Sequence, residues 1–507
     1  MTQEKFIEAI NKSYSMAGNT IYLGAGVYEG KILSDAKVNI PLRMMNRHGL
    51  VTGATGSGKT RTLQLIAEQL SLAGVPVFMP DMKGDLSGFA KAGTVNDKLT
   101  ERAKALDKSF TPTAFPVELY SLSGKCGAQM RATISEFGPT LLSKILELND
   151  TQSGVLMILF KYADDKKLPM VDFSDLKKVL NYLSEGEGAP EIKESYGKIS
   201  SSTASTILRK IVALEQQGIQ QLFGETSFDI EDLFQIVDGH GVISLLNVSD
   251  VQSQPTVFST FMLSLLAELY HTLPEAGDLE KPKLIFFLDE AHLLFKDAPK
   301  AFLDQIDQII RLIRSKGVGI FFCSQLTQDI PAPVLSQLGN RVHHVIRAFT
   351  PKDVQELKQT VQSFPRSEFY DLEKQFTQLG IGQALITVLN EKGIPTETVV
   401  THLTPPTSVM GPLSTTEYND QLKKSELFAK YEKSIDPRSA FEILNERLEK
   451  ATGEQSEFKK PTKAGSTKAE KSTFESVMTS PITKQIGRDL VRGMFGLLFG
   501  KSPTRRR

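Results

Sequence analysis

The apolar positions of this chain change their period along its length, and each change marks a part of the molecule. Residues 1–47 read as a small N-terminal lead-in: one helix at Thr2–Ser13, then short β-like pieces at Ile21–Leu23 and Val38–Ile40. That is too little chain for a large core of its own. From His48 onward, apolar runs of strand length alternate with helical segments. The runs are His48–Thr52, Val75–Asp81, Val117–Leu122, Gly241–Val248, Lys283–Asp289, Gly319–Ser324 and Arg341–Arg347. Several, such as LIFFL at Leu284–Leu288, are apolar at every position, so both faces must be covered. Strands of that kind alternating with helices predict an α/β fold built on a mainly parallel sheet.

A long helical stretch at about 129–222 interrupts the alternation. Pro139–Leu148, Thr151–Ala163, Phe173–Ser184 and Thr203–Gln217 show the i, i+3, i+4 spacing of amphipathic helices, which reads as an insertion into a core spanning 48–404. A Pro-rich segment then opens a linker and charged helix at 405–453. Residues 454–481 are Lys/Ser/Thr-rich, a low-complexity linker expected to be disordered. Residues 482–507 form a basic amphipathic tail. From Lys459 on there are 12 Lys and Arg against 3 acids.

Composition narrows the classes. Lys+Arg and Asp+Glu both number 59, which excludes a globally basic nucleic-acid coat and an acidic solvating protein. Two cysteines, Cys126 and Cys323, exclude a disulfide scaffold. The first fifteen residues carry Glu4 and Glu8 and lack the apolar stretch of a secretory signal. No run approaches the roughly 18 apolar residues of a membrane helix. The expected location is cytoplasmic.

Chemistry concentrates in three places. Gly53-Ala54-Thr55-Gly56-Ser57-Gly58-Lys59-Thr60 matches G-x-x-x-x-G-K-S/T in full, preceded by a strand and followed by a helix that starts with Arg61. Glycines let backbone N–H groups converge on phosphate oxygens, and the helix N-terminus favours an anion. Lys59 neutralises the β- and γ-phosphates, and the Thr60 hydroxyl ligates Mg²⁺. ATP with Mg²⁺ is the expected ligand pair. The second place is Asp289-Glu290, two acids at the C-terminal end of an apolar strand, where open α/β sheets bind ligands. Asp289 is read as the Mg²⁺ partner and Glu290 as the residue that polarises the attacking water. The third is Gln325, ending the next strand, read as a sensor of the γ-phosphate.

Other groups are less defined by the chain alone. Transition-state charge in such enzymes is commonly met by an arginine, and Arg311, Arg314, Arg341 and Arg347 are the candidates. Asp81-Met82-Lys83-Gly84-Asp85 leaves the second core strand at the same sheet edge and reads either as a border of the nucleotide or a polynucleotide, or as a turn with solvated charges. His292, His343 and His344 lack metal-ligand spacing with the cysteines and read as structural.

Taken in order, GATGSGKT, DMKGD, LIFFLDEAH and the CSQ strand end followed by GNRVHHVIRAFTP resemble the HerA/FtsK superfamily of ring-forming P-loop ATPases. The similarity is greatest to the HerA-like helicase group formerly labelled a domain of unknown function. It covers about Ile21–Thr401 and extends to IGRDLVRGMFG in the tail. The resemblance implies a RecA-like fold of the ASCE type, a homo-hexamer with ATP between subunits, and DNA translocation or unwinding. It also implies that Lys59 and Thr60 bind phosphate and metal, that Asp289 and Glu290 form the second motif, and that an arginine near Arg314 or Arg341 completes the site. HerA proper carries a large N-terminal β-barrel that docks a nuclease. Only about 47 residues precede the core here, so that partnership is not carried over.

Two other classes fit parts of the pattern. The basic tail suits an ATPase that drives a protein or membrane-associated machine, since such a segment lies readily on anionic lipid. A nucleotide switch or kinase would use the same phosphate loop, with the helical insertion as a lid. For the DNA class, Lys125, Arg131, Lys198, Arg209 and Lys210 are candidate contacts.

Overall fold

The computed structural model describes residues 2–457 except 250, 253, 278 and 296–299. The basic tail, and the low-complexity stretch from 458 on, lie outside the described residues. The described chain divides into two compact units, residues 1–130 with 228–433, and residues 131–227 with the segment from 434.

The first unit is built on strands β1 (Thr20–Tyr28), β2 (Lys31–Pro41), β3 (Gly49–Thr52), β4 (Val77–Asp81), β5 (Val117–Ser121), β6 (Ala128–Gln129), β7 (Ile236–Val237), β8 (His240–Gly241), β9 (Ile243–Asn247), β10 (Leu284–Leu288), β11 (Val318–Ser324), β12 (Asn340–His343), β13 (Gln383–Thr387) and β14 (Val399–Leu403). Twelve of them form one sheet in the order β2-β1-β14-β13-β12-β3-β11-β10-β4-β9-β5-β6, and β7 and β8 make a separate hairpin. From β12 to β6 every neighbouring pair is parallel. From β12 to β2 every pair is antiparallel. The expected mainly parallel α/β sheet is present.

The all-apolar strands are where they are because both faces are covered. Every residue of β10 and β11 is buried. Successive side chains point to opposite faces. Phe287 and Phe321 therefore join a core with Leu63, Ile66 and Leu70 of helix α2 (Lys59–Leu72), while Phe286 pairs with Phe78 on the other face, ring centroids 4.9 Å apart. Fully burying a side chain of this size contributes about 1.5–3 kcal/mol.

The short pieces read at Ile21–Leu23 and Val38–Ile40 are parts of longer strands, 9 and 11 residues, that hairpin onto β14. Only the second half of β2 is buried; Lys31–Asp35 lies at the sheet edge and carries a weak apolar signal. Helix α1 (Gln3–Tyr14) seats Phe6, Ile10 and Tyr14 in the same core.

Past β14 the chain doubles back onto α2. The Glu68 carboxylate accepts from the amides and hydroxyls of Thr407 and Ser408, and Gln64 donates to Ser408 Oγ at 2.7 Å. Four hydrogen bonds make a buried carboxylate tolerable there. Among the described residues, no helix is long and apolar enough to cross a membrane.

The second unit is helical, with helices Ile134–Ile145, Asp150–Asp165, Phe173–Ser184, Ala189–Ser195, Ser201–Glu215 and Ala440–Glu457. The first begins earlier than the apolar spacing suggests. Thr133 and Glu136 form a capping box, and the chain kinks at Gly138-Pro139, where Gly138 has φ 76°. The buried Asp175 carboxylate accepts from Val171 N, Asp172 N and Phe441 N and from the Ser439 hydroxyl, joining the segment after 434 to this unit.

Candidate nucleotide site

Strand β3 delivers the chain into the Gly53–Thr60 loop, and α2 leaves it. Gly53 has φ 145°, and a Cβ there would fall 2.5 Å from the Cβ of His344, so only glycine fits. Gly56 and Gly58 are also left-handed, at φ 77° and 110°. A wall backs the loop: His344 N donates to Thr52 O at 2.7 Å and Ala54 N to Val345 O at 2.9 Å. Behind that wall, His344 Nε2 meets Thr62 Oγ1 at 2.8 Å. Burial pushes the His344 ring down to about 3 and His343 to about 4, so both are neutral supports. Lys59 Nζ arches over the loop to Gly53 O at 2.8 Å and Ala54 O at 3.2 Å. The Ser57 hydroxyl is buried with no hydrogen-bond partner. A ring of glycine amides, a bridging ammonium and an orphaned hydroxyl is a donor set suited to phosphate oxygens. Arg61 at the start of α2 turns to Gln64 Oε1 (2.8 Å) and Met410 O (3.0 Å).

Strand β10 lies one strand away, with β11 between it and β3. Register pairs Leu288 with Phe322 and Ser324 with Thr52, so Asp289, Glu290, Gln325 and the loop emerge at the same edge. Burial raises the Asp289 carboxyl, opposed by a hydrogen bond from the Cys323 thiol and by the Glu290 amide. Thr60 and Asp289 supply hydroxyl and carboxylate oxygens, the hard donors that Mg²⁺ takes. Glu290 sits in left-handed backbone at φ 47°, uncommon for a residue with a side chain. Its Oε1 lies 3.4 Å from Lys83 Nζ and its Oε2 3.5 Å from His292 Nδ1, and Oε2 has no hydrogen-bond partner. Gln325 is exposed, and its Oε1 accepts from the Thr55 hydroxyl at 3.2 Å, tying the β11 end to the loop.

The arginines do not join this cluster. Arg314 is exposed in the turn before β11, at the opposite end of that seven-residue strand from Gln325. The Arg341 guanidinium is partly buried and donates to Leu338 O (3.2 Å) and Ser363 O (2.9 Å). Arg311 pairs with Asp307 on its own helix. Arg347 is exposed two residues past Val345, the residue whose carbonyl holds Ala54. Among the candidate DNA contacts, Arg131 is buried and donates to Glu225 O, and Lys210 donates to Leu146 O and Glu147 O.

Two residues at the site were not legible as participants. Cys323 reads from sequence as an apolar strand residue, and only pairing with β10 puts its thiol on Asp289. Lys83 stood inside a conspicuous motif, but its contact with Glu290 depends on β4 lying beside β10. Asp81 shapes that turn: its carboxylate accepts from the amides of Lys83, Gly84, Asp85 and Leu86 at 2.8–3.3 Å.

Known proteins are similar to this chain in sequence. The DNA double-strand break repair helicase HerA of Sulfolobus acidocaldarius is 21% identical over 390 residues, covering 73% of this chain and 68% of the relative. The protein of the same name from Sulfurisphaera tokodaii is 23% identical over 383 residues, with the same coverage. Among solved structures, the plasmid coupling protein TrwB in complex with ADP and Mg²⁺ aligns with TM-score 0.48 at 13% identity, covering 77% of this chain and 97% of that one. VirB4 of Thermoanaerobacter pseudethanolicus aligns with TM-score 0.46 at 16% identity, covering 80% and 98%. The sequence pattern of the family described as helicase HerA-like, C-terminal, runs through residues 29–505, and the chain belongs to that family of P-loop ATPases.

Proposed function

We propose that this protein is an ATP-hydrolysing ring motor that translocates along or unwinds DNA, working as a homo-hexamer by family likeness. The observation that carries the reading is the convergence of Lys59, Thr60, Asp289, Glu290 and Gln325 on one sheet edge, with the Thr55–Gln325 hydrogen bond linking its two halves. A nucleotide switch needs the loop and a metal-binding carboxylate but no dedicated base. A Glu beside the metal-binding Asp adds a base for water.

In this reading the loop amides and Lys59 hold the β- and γ-phosphates. Mg²⁺, when bound by Thr60 and Asp289, neutralises charge on the phosphate oxygens. Glu290 accepts a proton from water as the oxygen adds to the γ-phosphorus and the bond to the bridging oxygen breaks. Gln325 reports on the γ-phosphate to the loop. Arg341 is tied to carbonyls of its own chain and Arg314 stands at the far end of β11, so either would serve the site of a neighbouring subunit. DNA is supported by the names of the relatives, both DNA helicases.

The test is ATP turnover at low salt with and without duplex and single-stranded DNA, with phosphate release followed directly. Stimulation by DNA that weakens with salt is expected. Phosphate appearing on an acceptor instead of in water, or no response to any DNA form, sinks the motor reading. For the arginine, an inactive Arg314→Ala or Arg341→Ala protein mixed with Lys59→Ala protein should regain some turnover, because hybrid interfaces contain one intact site. Mixtures no more active than their parts exclude action between subunits.

A further inference from the structure

The DMKGD turn is absorbed by neither phosphate binding nor hydrolysis, yet it sends a cation to the hydrolytic carboxylate. Lys83 Nζ lies 3.4 Å from Glu290 Oε1, and its side chain remains 58% exposed. The turn that carries it is fixed by the four amides gathered on Asp81, so the lysine root is held while its tip is free to change partner. On the carboxylate side, Glu290 is 17% exposed, left-handed at φ 47°, and its second oxygen has no hydrogen-bond partner. Non-glycine residues keep such backbone only where their surroundings over-determine it. An ammonium on Oε1 occupies one oxygen of the base that must take a proton from water.

We infer that Lys83 restrains Glu290 and that a DNA phosphate, by taking the Lys83 ammonium, releases the glutamate for hydrolysis. The geometry suits an exchange. A half-exposed ion pair is weak, so a second anion can displace it, and phosphate contacts gain further from release of counterions. Lys83 is then a positioning residue that couples polynucleotide binding to turnover without touching the nucleotide. This rests on the function proposed above.

The experiment measures kcat and KM for ATP on the full chain at low salt, with and without DNA, for wild type, Lys83→Met, Lys83→Arg, Glu290→Gln and Lys83→Met/Glu290→Gln. Lys83→Met should raise DNA-free kcat by about two- to fivefold, the range a pair of this exposure can supply, with KM unchanged. Its stimulation by DNA should shrink by the same factor. Lys83→Arg keeps the charge and should fall back from Lys83→Met towards wild type. The double variant should be as inactive as Glu290→Gln alone. An equal or lower DNA-free kcat in Lys83→Met, at an unchanged melting temperature, overturns the restraint. A raised kcat with undiminished stimulation overturns release by DNA. Normal turnover in Glu290→Gln instead overturns the role given to the glutamate itself, and the inference falls with it.

Discussion

The two ends of β11 are made from the same strand and the same neighbours, yet they are built to opposite rules. At its N-terminal end, His48 is buried with both ring nitrogens engaged. Nδ1 accepts from Ile320 N at 3.0 Å, so Nε2 carries the proton and donates to Ile310 O at 2.8 Å. At its C-terminal end, Ser57 Oγ and Glu290 Oε2 are buried without hydrogen-bond partners, Glu290 is left-handed, and the Asp289 carboxyl is raised by burial. Buried polar groups are nearly always paired, so two orphaned oxygens beside a phosphate loop are a reason to look for chemistry there. In the proposed function, one end of the strand serves stability and the other holds the reacting groups.

The contrast is sharpest in substitutions that separate turnover from folding. Glu290→Gln should lower kcat by at least about a hundredfold, the worth of a positioned base, while ATP binding and melting temperature stay close to wild type. Lys59→Ala should abolish turnover through loss of nucleotide affinity, again with little change in melting. Steady-state kinetics with nucleotide titration checks both, and a variant that melts early as well as losing activity breaks the division of labour.

At the other end the effect should be reversed and smaller. His48→Leu strands the Ile320 amide and should cost about 1–3 kcal/mol of stability, with kcat per folded molecule retained. Burial pushes the His48 ring down to about 4, against an ordinary value near 6.5 in the unfolded chain. Its contribution is therefore complete above about pH 6.5 and is lost as pH falls towards 4, because the unfolded chain takes up the proton first. His343 acts in the same direction and window. Melting temperature should fall between pH 7 and pH 5, less steeply in His48→Leu. A flat profile in wild type removes the claim that these rings are held neutral. The smallest effect expected is from Gln325→Ala, about a tenfold loss of kcat, equal to about 1.4 kcal/mol in the barrier. Loss of nucleotide affinity with kcat intact would instead make Gln325 a binding residue.

The seven core strands read from apolar runs all occur, and most of them, such as β10 and β11, are buried on both faces and write an unbroken apolar signal. Shorter strands with mixed polar positions are less legible. β13 and β14, QALIT and VVTHL, are five residues each with polar positions among the apolar ones, and they are identified only by pairing with β12 and β1. The phosphate loop was legible because its glycines and lysine must be consecutive to fold around an anion. Lys83 was not, since 207 positions separate it from Glu290.

The sequence by itself determined the local constellations: the eight-residue loop, the Asp-Glu pair ending an apolar strand, the α/β alternation. Each is fixed by short-range chemistry, a backbone conformation only glycine adopts or a face that must be dry. The tertiary structure alone decided which of these meet. Sheet order puts β11 between β3 and β10 and lays β4 against β10, and that order follows from long-range burial and pairing that no local window records. Hence the chain announces its phosphate loop, while the lysine on its glutamate and the thiol on its aspartate appear only once the strands are side by side.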